Sequence, residues 1–150
     1  MKKETTLHEA LIVQMLKTGQ RLQISLDHLF KQHGLSRQQY NVLRILRGAT
    51  EHRLTVIELR SRLIENQPDI TRLLERMIQK ELLSKQQDQD DKRKWHVQLE
   101  EAGLSKCSDL DSIIFSWNQD TFKCFDSDQI NNLIRLNSIF NDYHNNKEPS

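Results

Sequence analysis

Two cysteines, two prolines and four glycines are all that this chain of 150 residues contains, and each scarcity removes a class of protein. Two cysteines cannot make the disulfide framework of a small secreted domain, and Cys107 and Cys124 are separated across an expected helix, too far apart to bridge. Reduced thiols in a cytoplasmic protein are the expectation. The shortage of glycine and proline, with a hydrophobic share of 36% and a charged share of 29%, favours a helical, soluble protein over a strand-rich or disordered one. No apolar run approaches the ~20 residues that a membrane span needs, and Met1-Lys2-Lys3 is not followed by the apolar core of a signal peptide. Charge of one sign is lacking too: the net charge is +1, so any affinity for nucleic acid must come from local clustering. The six histidines lack the paired spacing of a closed zinc site, so neither metal nor cofactor is expected. Nucleophile elbows, phosphate-cradling glycine loops and paired carboxylates are absent as well, which argues against catalysis.

What is present is helical periodicity. Leu7, Leu11, Met15, Leu22, Leu26, Leu29 and Phe30 recur mostly at three- and four-residue steps, predicting a long amphipathic helix ended by His33-Gly34. Ser36 with Gln39 forms a capping box, opening a second helix whose Tyr40, Leu43 and Leu46 share a face up to Gly48. After a short polar connection, Ala49 to Arg53, Thr55 with Glu58 caps a third helix striped by Val56, Leu59 and Leu63. Glu65-Asn66-Gln67 reads as a turn. Pro68 then falls at the first position of a fourth helix, with Asp69 complementing its dipole. Its buried face is expected to be Ile70, Leu73, Leu74, Met77 and Ile78, and its outer face Thr71, Arg72, Glu75, Arg76 and Gln79.

From Gln86 to Lys94 there is no apolar residue, which predicts a solvated loop, and Trp95, Val97 and Leu99 then alternate with polar residues as in a half-buried strand. Leu104, Cys107, Leu110, Ile114 and Trp117 predict a helix from Glu101 to about Phe122. Asp126 with Gln129 opens a last helix carrying Ile130, Leu133, Ile134 and Phe140, before a polar tail.

Two short helices joined by a tight turn and followed by a hairpin with a charged tip make a winged helix-turn-helix, expected over residues 36–100. The second helix of such a pair can enter the major groove with its first residues nearest the bases. Those residues are Gln67, Pro68, Asp69, Thr71 and Arg72, with Arg76 a turn further on. Arginine can donate two hydrogen bonds to guanine or pair with phosphate. In the hairpin, Asp91, Lys92, Arg93 and Lys94 form the tip, and Asp91 stands two residues before Arg93, on the same side of an extended segment. A carboxylate that aims an arginine lowers the rotamer entropy lost when it enters a minor groove of enhanced negative potential.

In their order and spacing, Leu35 to Leu43, Leu54 to Leu59, Pro68 to Arg76, and Asp91-Lys92-Arg93 with Val97 and Leu99 resemble the multiple antibiotic resistance regulator (MarR) family of bacterial transcriptional regulators over nearly the whole chain. The resemblance implies a mainly α fold, a winged helix-turn-helix with a small β-hairpin wing and long N- and C-terminal dimerisation helices. It implies a single MarR-like chain over 1–150, with 5–34 and 101–145 forming the dimerisation region of a homodimer. Two winged units would read a near-palindromic operator in double-stranded DNA, Thr71 and Arg72 facing the major groove and Arg93 the minor groove. It further implies, as for many members, release by a small aromatic effector, for which Met15, Tyr40 and Trp117 are the candidate lining residues. Two positions depart from the family pattern: Glu81, where glycine is usual after the recognition helix, and Glu100, where threonine is usual. The low net charge and acidic wing also fit a winged fold used as a protein-interaction adaptor with little grip on DNA.

Overall fold

The computed structural model describes residues 6–65 and 68–146. Contacts divide the chain into two compact units, the first ending at Ser108 and the second beginning at Asp109. The first contains α1 (Leu7–Gln32), α2 (Arg37–Arg47), a 3-10 turn (Thr50–His52), β1 (Arg53–Thr55), α3 (Val56–Arg62), α4 (Ile70–Gln79), β2 (Leu83–Gln87) and β3 (Trp95–Leu99). Helix α5 (Glu101–Phe122) begins in the first unit and continues into the second, which also holds α6 (Ser127–Asn145). The fold is mainly α with a winged helix-turn-helix, as the sequence predicts.

Helix starts are set by local chemistry. Thr6 with Glu9, Ser36 with Gln39, Thr55 with Glu58 and Asp126 with Gln129 all form reciprocal capping boxes, in which each side chain accepts the other residue's amide. Helix α4 uses Asp69 as its N-cap, the carboxylate accepting the Arg72 amide at 3.2 Å. Pro68, expected at the first helical position, therefore stands before the cap, where its fixed φ shapes the turn instead.

The sheet is antiparallel in the order β1-β3-β2, with Leu54 opposite Val97 and Leu83 opposite Leu99. It corrects three expectations. Gln86 and Gln87 belong to β2, paired with His96 and Trp95, because ladder hydrogen bonds hold residues that lack an apolar side chain. β1 falls at the end of a connection that reads as polar; with three residues and only Leu54 buried, it is too short to show alternation. Trp95 is 40% exposed rather than buried. β1 pairs no further along β3 than His96, so Trp95 lies on the two-stranded wing, with the Lys85 ammonium 4.8 Å from its ring centre.

Leu43 and Leu46 of α2, Leu59 of α3, Leu74 and Met77 of α4 and Val97 of β3 are fully buried, each contributing about 1.5–3 kcal/mol through loss of contact with water. Helix α2 packs on α1, α3 and β3, and α4 on β2, which fixes the fourth helix against the root of the wing. On α4, Ile70, Leu74 and Met77 are buried, whereas Leu73 and Ile78 are half-buried. The helix ends in a Schellman motif: Glu81 at φ +58° donates its amide to Ile78 O at 2.8 Å, and Leu82 donates to Met77 O at 3.1 Å. Phe30, near the end of α1, is buried against Tyr40 of α2, whereas Leu7, Leu11 and Met15 of the same predicted stripe are exposed.

Candidate nucleic-acid interface

The N-terminal half of α4 presents an outward row. Pro68, Asp69, Thr71, Arg72, Glu75 and Arg76 are all exposed, and neither the Arg72 nor the Arg76 guanidinium makes an ion pair among the described residues. Among the described residues, no acidic partner therefore competes with an anion for these two side chains. Gln67 lies outside the described residues. The turn before α4 is tied from behind by Arg37 at the start of α2, whose guanidinium bonds Asp27 of α1 at 2.9 Å and also pairs with Glu65.

The second set of candidates is on the wing, where Lys92, Arg93 and Lys94 are exposed and Asp91 is half-buried. Asp91 Oδ1 accepts the Arg93 backbone amide at 3.1 Å and the Arg93 Nε at 3.4 Å, so the carboxylate is placed to orient a side chain that is itself 93% exposed. An exposed pair of this kind adds little stability, about 0–1 kcal/mol, and its effect is directional. The tip is pinned by its backbone: Lys94 N–H donates to Asp91 O, Asp88 N–H to Lys94 O, both at 2.9 Å, and the Gln87 side chain donates to Lys92 O.

Asp88 does most to shape the turn. Its Oδ1 accepts the amides of Asp90 and Asp91, both at 2.9 Å, and its Oδ2 accepts from His96 Nε2 at 2.7 Å. The Asp91 amide first, then His96 and the Asp90 amide, hold the Asp88 carboxyl well below the usual carboxylate range. The acidic run Asp88, Asp90, Asp91 thus differs from a solvated charge run: Asp88 is turned onto the turn's own amides and His96, and Asp91 onto Arg93. Sequence reasoning missed Asp88 and His96. The spacing from Asp88 to the two amides is a readable Asx-turn signal. The link to His96 appears only once the hairpin register is known.

Met15 is 38% exposed on α1, the Tyr40 ring is stacked on Phe30 at 4.4 Å, and Trp117 is half-buried in the second unit. A cleft of about 560 Å³ in the first unit lies between the segment Gly48–Glu51, β1, α3 and the wing root, lined by Arg53, Glu58, Arg62, Asp88 and His96. Cys107 is buried and Cys124 exposed, and neither takes part in a disulfide. Among the described residues, no three histidine, cysteine or acidic side chains are placed to hold a metal ion, and no helix is long and apolar enough to cross a membrane.

This arrangement has known counterparts. Residues 25–110, more than half of the chain, match the family model described as transcriptional regulator SarA/Rot. Over 96 residues the chain is 27% identical to the HTH-type transcriptional repressor YetL of Bacillus subtilis, a match covering 64% of this chain and 58% of that relative. The fold is shared with AbsC, a MarR family transcriptional regulator from Streptomyces coelicolor, at a TM-score of 0.85 and 16% identity, covering 97% of this chain and all of that one. It is also shared with a mutant E. coli MarR complexed with operator DNA, at a TM-score of 0.76 and 21% identity, over 89% of this chain and 94% of that one. The chain belongs to the SarA/Rot family of transcriptional regulators, and its fold is the winged-helix fold of these MarR structures.

Proposed function

We propose that the protein is a sequence-specific DNA-binding repressor that acts as a homodimer on a near-palindromic operator. In this reading α4 enters the major groove, with Thr71 and Arg72 nearest the bases and Arg76 at phosphate or base edges. Arg93 enters the minor groove from the wing, flanked by Lys92 and Lys94 on phosphates. The observation that carries the reading is the two guanidinium groups on the exposed face of α4, which make no ion pair among the described residues, together with an exposed Arg93 already oriented by Asp91. The MarR chain of the same fold is complexed with operator DNA, which supports the same use here. The family resemblance extends the reading to release by a small aromatic ligand, and a thermal-shift screen of aromatic acids tests that step.

The decisive experiment selects a duplex from a random pool and measures its affinity at several salt concentrations. Tight binding that falls steeply with salt is expected, because each phosphate contact releases condensed counterions. Weak binding that is flat with salt and indifferent to sequence would instead favour the adaptor reading. Arg72→Ala should relax base preference by about 1–3 kcal/mol at one position of each half-site, whereas Arg93→Ala should weaken most sequences alike. Equal losses on all duplexes from both substitutions would contradict this division of roles.

A further inference from the structure

The wing tip has no apolar residue between Gln87 and Trp95, so its shape depends entirely on polar links to the sheet below. We propose that His96 is a positioning residue for DNA binding: through Asp88 it fixes the turn that presents Arg93. The proposal rests on the DNA-binding reading above and adds to it a residue outside the contact surface.

A chain of contacts runs outward from the sheet. His96 lies on β3, the middle strand, paired with Thr55 on one side and Gln86 on the other, so two ladders fix its backbone. From that anchored position its Nε2 donates to Asp88 Oδ2 at 2.7 Å. The other Asp88 oxygen takes the amides of Asp90 and Asp91, and the Asp91 carboxylate takes the Arg93 amide and Nε. Three consecutive links therefore join the rigid sheet to the guanidinium at the tip. The first is the best shielded, with side-chain exposures of 20% for His96 and 26% for Asp88, against 93% for Arg93.

The other charged groups around the same cleft are Glu51 of the 3-10 turn, Arg53 of β1, and Glu58 and Arg62 of α3. Glu58 is occupied by the Thr55 amide and hydroxyl. Asp88 is the carboxylate in direct contact with His96, at 2.7 Å.

The test uses the full chain as wild type, His96→Phe and His96→Gln, with a duplex selected by the wild type. His96→Gln keeps an N–H donor, and it also guards against a folding defect in the larger substitution. Affinity is measured for all three chains, and amide hydrogen exchange of Asp90 and Asp91 is followed in the free protein. His96→Phe should weaken the duplex about two- to fivefold and speed exchange at both amides. His96→Gln should restore most of the affinity and of the protection. Unchanged exchange in His96→Phe, or affinity and exchange in His96→Gln no better than in His96→Phe, overturns the proposal. If no duplex is selected, the DNA reading fails and this proposal falls with it, while the exchange data still decide whether His96 holds the turn.

Discussion

Glu81 occupies a backbone position that suits glycine. Its φ of +58° is required because the Schellman motif needs a left-handed residue after the Lys80 cap to turn the Glu81 and Leu82 amides onto Ile78 and Met77. The left-handed form costs a side-chain-bearing residue roughly 1–2 kcal/mol, and glycine recovers less than that because it also loosens the unfolded chain. Glu81→Gly is thus expected to stabilise by about 1 kcal/mol, raising Tm by about 2–4 °C in calorimetry. Gly103 shows the opposite case. A Cβ there would stand 2.4 Å from Leu82 O and 2.6 Å from Leu99 Cδ1, and the first of these is backbone that cannot swing away. The gain of about 1 kcal/mol from alanine in a helix is outweighed by overpacking of about 1–3 kcal/mol, so Gly103→Ala should lower the urea midpoint at unchanged slope. Glu81 was legible in sequence as a departure at a recognisable helix end. Gly103 was not, since the atoms that crowd it come from a strand root and the segment before it, brought together only by the fold.

Among the elements, helices were readable and strands much less so. Capping boxes at Ser36, Thr55 and Asp126 advertise helix starts because both partners lie within four residues of chain. β1 and the end of β2 depend on partners elsewhere: Arg53 pairs with Gln98 and Gln87 with Trp95, and no local pattern announces either. The wing has the same character, since the sequence shows Asp91 beside Arg93 but not His96 beneath Asp88. Its stability should respond to acid in a defined direction. The Asp88 carboxyl is held below its ordinary range by the Asp91 amide, His96 and the Asp90 amide, so the folded state binds this proton less readily than the unfolded chain does. That contribution is fully present above the ordinary carboxylate value, about 3.9, and is lost as pH falls below it. On acidification through that range the Asp90 and Asp91 amides should exchange faster than expected from intrinsic rates, and Asp88→Asn should abolish this extra pH dependence. The same profile in both proteins would show that the turn is held by other contacts.

At the scale of the whole molecule, the two long terminal helices carry more apolar surface than either unit covers. Leu11, Ile12, Leu16 and Ile24 on α1 are exposed, and so are Ile134, Leu136, Ile139 and Phe140 on α6. The helical periodicity of these segments was legible, but it could not say whether their stripes face the chain's own core or another chain. The buried part of the α1 stripe is its last turn, at Phe30, so the rest is available for a second copy, as the proposed homodimer requires. Burying an aliphatic side chain yields about 1.5–3 kcal/mol, and a twofold interface counts each substitution twice. Leu11→Glu combined with Ile139→Glu should therefore convert a dimer into a monomer over at least a hundredfold range of concentration, measured by sedimentation. Loss of concentration dependence in Tm should accompany it, because association no longer stabilises the folded chain. The core around Leu43, Leu59 and Val97 is independent of these positions, so the monomer should keep its helical circular dichroism while losing most of its affinity for a palindromic duplex and retaining salt-dependent binding to a half-site. A wild-type chain that sediments as a monomer at every concentration would overturn the homodimer and leave these apolar faces for a different partner.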